Sequence, residues 1–101
     1  MIRHIVAFQL TAADPDVRKR HVTEMRGRLE ALVDAVPGVV SIEVHEDLGT
    51  VVSHWPVILV SDFETTEALE QYQVHPSHRA AVDWMNNGIV ADRAVVDYPV
   101  R

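Results

Sequence analysis

The chain has 101 residues, about half of them apolar, and a formal net charge of −6 at pH 7. That length gives one domain, able to bury roughly 60–70% of its unfolded surface, and the acidic balance argues against a nucleic-acid partner. Without cysteine, disulfides, thiol catalysis and cysteine-based metal centres are excluded, and cytoplasmic residence is the default.

No apolar run approaches the ~20 residues that a membrane span needs, so no membrane partner is expected. The opening Met1–Phe8 alternates too soon and is too short for the hydrophobic region of a signal peptide. Residues 2–10 read instead as a strand, with Ile2, His4, Val6, Phe8 and Leu10 on one face and Arg3, Ile5, Ala7 and Gln9 on the other.

Asp14-Pro15 is a helix start, a capping side chain followed by proline at the first helical position. Val17, His21, Met25, Leu29, Leu32, Val33 and Val36 then recur at spacings of three and four, predicting one amphipathic helix of about twenty residues. Gly27 weakens it by roughly 1 kcal/mol, and Pro37-Gly38 stops it. Its basic residues (Arg18-Lys19-Arg20, Arg26, Arg28) are interleaved with Glu24 and Glu30, which reads as a solvated face.

Val39 to His45 alternates and is β-branched, a second strand. Glu46 to Pro56 is a polar connection around Gly49. Val57-Ile58-Leu59-Val60 opens a third strand ending near Phe63, apolar on both faces, so layers are expected on both sides of the sheet. Thr65 or Thr66 caps a short helix carrying Ala68, Leu69 and Tyr72. Pro76 ends it and begins a second piece carrying His78, Ala81, Val82 and Met85, which Asn86-Asn87-Gly88 terminates. Ala94 to Tyr98 is the last strand.

The order β-α-β-β-α-β is the ferredoxin-like plan, an α+β fold with a four-stranded antiparallel sheet and helices on one face. The apolar residues of the other face then need a partner, and a second copy of the same sheet gives a two-fold homodimer, packed sheet to sheet.

Tyr72-x-x-His75-Pro76-x-His78 groups a phenol and two imidazoles, side chains suited to proton chemistry near neutral pH, around a helix corner. With the start Ile2–Phe8, Pro37-Gly38-Val39, Phe63-Glu64-Thr65 and the closing Val96-Asp97-Tyr98, it resembles the stress-responsive dimeric α/β-barrel family, Dabb, across essentially the whole chain. The resemblance implies a single dimeric α/β-barrel domain over residues 1–101. The family includes ring-forming plant stress proteins and plant polyketide cyclases such as olivetolic acid cyclase.

By resemblance to the cyclases, acid–base work falls on Tyr72 and His78, and His4 is a pocket residue. A further pocket histidine of those enzymes is missing, since Val57 stands in its place. The residues themselves leave alternatives open. His78 is a base or a ring that fixes the helix corner, and Tyr72 is a donor to a developing enolate or a core tyrosine. His75 is expected to cap the second helical piece.

A metal pair at His75 and His78 lacks a third ligand at suitable spacing, so neither metal nor cofactor is expected. Arg93 either binds a substrate carboxylate or pairs with an acid across the sheet; the second is expected. Trp84 and Met85 read as core or subunit contact.

The expected site is an apolar pocket lined by Val6, Phe8, Leu59, Val82 and Met25, with His4, Tyr72 and His78 as its polar groups. The expected activity is cofactor-independent acid–base chemistry on a carbonyl compound, by proton transfer or ring closure. A non-catalytic ligand-binding or stress-protective oligomer is one alternative, and a cofactor-free monooxygenase is another.

Overall fold

Alternation along Ile2–Leu10 (β1) survives folding: His4, Val6, Phe8 and Leu10 are buried, while the residues between them are half-buried. A computed structural model describes all 101 residues. The remaining elements are α1 (Pro15–Glu30), α2 (Leu32–Ala35), β2 (Val39–Glu46), β3 (Val57–Phe63), α3 (Thr66–Val74), α4 (Pro76–Asn86) and β4 (Val90–Pro99). The strands form one antiparallel sheet in the order β2-β3-β1-β4, the ferredoxin-like arrangement.

Inward residues of the strands meet Val22, Met25 and Leu29 of α1, Leu69 and Tyr72 of α3, and Ala81 and Met85 of α4 in one core. All the helices therefore lie on one face of the sheet. Asp14 caps α1, its carboxylate accepting from the amides of Asp16 at 2.9 Å and Val17 at 3.1 Å, worth about 1 kcal/mol. Thr65 caps α3 through the Ala68 amide at 3.1 Å.

Three sequence expectations are corrected. The long helix breaks at Ala31, where Asp34 N–H donates back to Ala31 O at 3.3 Å and tightens the turn. Its buried row is Val22, Met25, Leu29, Leu32 and Val36, whereas Val17, His21 and Val33 are half-buried. Successive steps of four drift about 40° round a helix, so a row through 17, 21, 25, 29 and 33 leaves the core at both ends, and alternating threes and fours keep to it. The last strand begins at Val90, four residues before the expected Ala94, because Asp92 and Arg93 hid its start; as an edge strand it tolerates charge.

Within one chain the helices cover one side of the sheet, and the second expected layer is left to a second copy. The face away from the helices carries paired apolar residues, Ile5 with Val60 and Val96, and Ala7 with Ile58 and Ala94. Val96 is 60% exposed and Tyr98 39%. On that face Arg3 forms a two-pronged pair with Asp62, at 2.8 and 2.9 Å, tying β1 to β3.

Gly38 makes the turn into β2 with φ of +83°, and a Cβ there would stand 2.7 Å from the Cβ of Ala68. Both requirements select glycine.

Candidate acid–base site

Between the sheet and the helices lies a cavity of about 260 Å³. Its floor is the inward face of β1 (His4, Val6, Phe8) with Leu59 of β3, and its far wall is Tyr72 and Gln73 of α3 with His78, Val82 and Met85 of α4. Arg93 and Val95 of β4 form the rim, where Val95 is 49% exposed.

Seven of the eight expected residues, His4, Val6, Phe8, Leu59, Tyr72, His78 and Val82, line this space. Met25 does not: it is wholly enclosed in the core, and Leu29, one turn later on the same helix, reaches the wall instead.

Pro76 produces the corner that brings Tyr72 and His78 together. The chain is extended at His75, with ψ of 137°, as a residue before proline must be. There the His75 Nδ1 accepts from the Ser77 amide at 3.1 Å and caps α4, so this ring shapes the corner. His78 turns elsewhere. Its Nδ1 lies 3.2 Å from the Gln73 carbonyl; only an N–H can donate to a carbonyl, so Nδ1 carries the proton and Nε2 of the neutral ring is a free base.

Burial pushes the His78 pKa below its ordinary value, and the neighbouring His4 and Arg93 side chains push the same way, against the raising effect of the Gln73 carbonyl. The imidazole is therefore neutral at pH 7. Tyr72, 1% exposed, packs its ring against Phe63 at 4.9 Å and against His78 at 4.3 Å between centroids. Burial drives its phenol well above the ordinary value, so it stays protonated and can only donate near neutrality. The one side-chain polar atom both sealed and unpartnered is His21 Nδ1; the Tyr72 hydroxyl bonds no protein group and is not sealed, and the residue lines the cavity.

His4 is oriented by a residue that the sequence reading did not assign a role in the site. Asp97 stands directly opposite it on β4, and the His4 Nδ1 meets the Asp97 carboxylate at 2.5 Å. A carboxylate behind an imidazole fixes its tautomer and the orientation of its ring. Arg93 is also corrected: its guanidinium pairs with no acid, but donates to the Asn86 side-chain oxygen and lies 6.0 Å above the Phe8 ring. Trp84 is half-buried beneath Arg28, 4.6 Å away, outside the cavity.

Residues 2–100 match the family model of the stress responsive A/B barrel domain, Dabb. The chain belongs to this family. No curated protein matches it significantly. Among solved structures, this Dabb chain is similar to a dimeric ferredoxin-like protein of unknown function from Bacteroides fragilis, at 27% identity and a TM-score of 0.85, over 98% of this chain and 95% of that one. A dimeric ferredoxin-like protein of unknown function from Thermobifida fusca is 29% identical, with a TM-score of 0.80 over 98% and 90%. An antibiotic biosynthesis monooxygenase shares the fold, with a TM-score of 0.76 over 100% and 99%, at 14% identity; so distant a likeness shows the fold alone. No helix of the Dabb chain is long and apolar enough to cross a membrane.

Proposed function

We propose that this Dabb protein is a cofactor-independent acid–base enzyme acting on a carbonyl compound, by proton transfer or polyketide-cyclase-like ring closure. The observation that carries this reading is the pairing of a neutral imidazole, its Nδ1 tied to Gln73, with a protonated phenol beside it on one apolar cavity. A base and a donor at one site suit removal of a proton next to a carbonyl: His78 Nε2 takes the proton while the Tyr72 hydroxyl donates to the oxygen that becomes an enolate. Returning the proton from His78 to carbon completes transfer; in closure the enolate carbon attacks a second carbonyl, whose oxygen takes that proton from His78, and no electrons leave the substrate.

His4, backed by Asp97, supplies a second polar contact for the substrate oxygen. Val6, Phe8, Leu59 and Val82 exclude water and hold an apolar group. A second copy of the chain over the open sheet face, with Ile5, Ile58, Val60 and Val96 at its centre, completes the proposed homodimer, in line with the dimeric description of the two most similar structures named above. Cytoplasmic residence belongs to this reading through the absence of cysteine.

Phenylacetone, whose methylene lies between a ring and a carbonyl, is a probe of the first step. Its exchange with solvent deuterium, followed by proton NMR, should be faster with the protein than in buffer and fall to the buffer rate with His78→Ala. No acceleration by the wild type, or equal acceleration by His78→Ala, overturns the reading in favour of a non-catalytic binding protein.

A further inference from the structure

The rim of the cavity carries a permanent cation that no acid of the protein neutralises. Arg93 forms no salt bridge: Asn86 offers it an uncharged oxygen, and the Phe8 ring lies beneath it at 6.0 Å. No Asp or Glu lines the cavity; the adjacent Asp92 carboxylate accepts from the Arg93 backbone amide at 2.8 Å and makes no ion pair with its guanidinium, and Asp97 is engaged with His4. This occurs in a chain of net charge −6, where surface acids to pair with an arginine are plentiful. An unneutralised guanidinium held in place by an amide and an aromatic face presents its remaining donors as a fork that fits a planar carboxylate.

We infer that the cavity takes a carbonyl compound that also bears a carboxylate, with Arg93 binding the carboxylate at the rim and the apolar walls holding the rest. The inference rests on reading the cavity as a ligand site and adds the charge of the ligand. The volume, about 260 Å³, would hold some eight or nine waters at about 30 Å³ each, which suits a compound of single-ring size. One cation among apolar walls suits a singly charged carboxylate better than a doubly charged phosphate. Arg93 also lies beside the last residue of α4, where a cation complements the helix dipole; that role predicts no discrimination between an acid and its ester.

Binding of phenylacetate, methyl phenylacetate and benzylphosphonate, measured by calorimetry, tests this without requiring turnover. The wild type should bind phenylacetate at least about tenfold more tightly than the ester, a difference of about 1.4 kcal/mol. Arg93→Gln should bring the two to within about threefold. Should that variant unfold, Arg93→Met keeps an apolar stem over Phe8 and should give the same result. An ester bound as tightly as the acid, a preference that survives both substitutions, or no binding of either compound overturns the inference, and tighter binding of benzylphosphonate overturns the carboxylate assignment. Loss of phenylacetone exchange with an intact acid preference refutes the acid–base reading alone; intact exchange with no preference refutes this one alone.

Discussion

Tyr72→Phe separates chemistry from packing at one residue. The Tyr72 ring is 1% exposed and wedged between Phe63 and His78, with centroids 4.9 and 4.3 Å away, so removing the whole side chain would cost on the order of 3–5 kcal/mol of stability. Phenylalanine keeps that ring and deletes only a hydroxyl that bonds no protein group. The melting temperature should therefore move by no more than a few degrees, since about 1 kcal/mol corresponds to ~4–8 °C in a domain of this size. Loss of one donor to a developing oxyanion lowers a rate by about 10²–10³, or ~2.7–4 kcal/mol of barrier. The assay is deuterium exchange of phenylacetone alongside thermal unfolding. Exchange within a few-fold of wild type at unchanged melting temperature would refute the donor role, and with it the claim that the two rings act together.

Gly38→Ala should lower the melting temperature by on the order of 10–20 °C, because a φ of +83° costs an L-residue ~1–2 kcal/mol and the new Cβ meets Ala68 at 2.7 Å; a normal melting curve contradicts the close approach. His75→Ala should cost about 1 kcal/mol through loss of the α4 cap, with His75→Asn restoring most of it, as read by urea denaturation. Asp97→Asn should reduce phenylacetone exchange by roughly tenfold or more without unfolding the protein, since it removes the charge behind His4; an unchanged rate would show that His4 only packs.

The fold was legible because its signals are local: alternation in β1, the Asp14-Pro15 start of α1, and the Pro76 break all act within a few residues. The placement of the corner residues was legible for the same reason, since Tyr72, His75 and His78 fall within seven positions. Asp97 and Arg93 were not, because their roles depend on register. The topology places β4 beside β1, but only the pairing of His4 with Asp97 and Phe8 with Arg93 sets Asp97 behind His4 and Arg93 on the cavity rim, and a shift by one residue would turn both to the other face. Met25 and Leu29 share an apolar stripe one turn apart, and periodicity alone does not say which one meets a void. The break at Ala31 carries no local signal, because alanine is a strong helix former.

The central claim is that His78 is held as a neutral base with a free Nε2. Side-chain nitrogen NMR of the histidines, titrated from neutral into acid, reads both properties without any substrate. His78 should be protonated at Nδ1 when neutral and should titrate below the ordinary value of 6.5. Because the folded state disfavours its charged form, stability should also fall as pH drops below 6.5, where the unfolded chain takes up the proton more readily. A His78 that titrates above 6.5, or carries its neutral proton on Nε2, would rule out the neutral base.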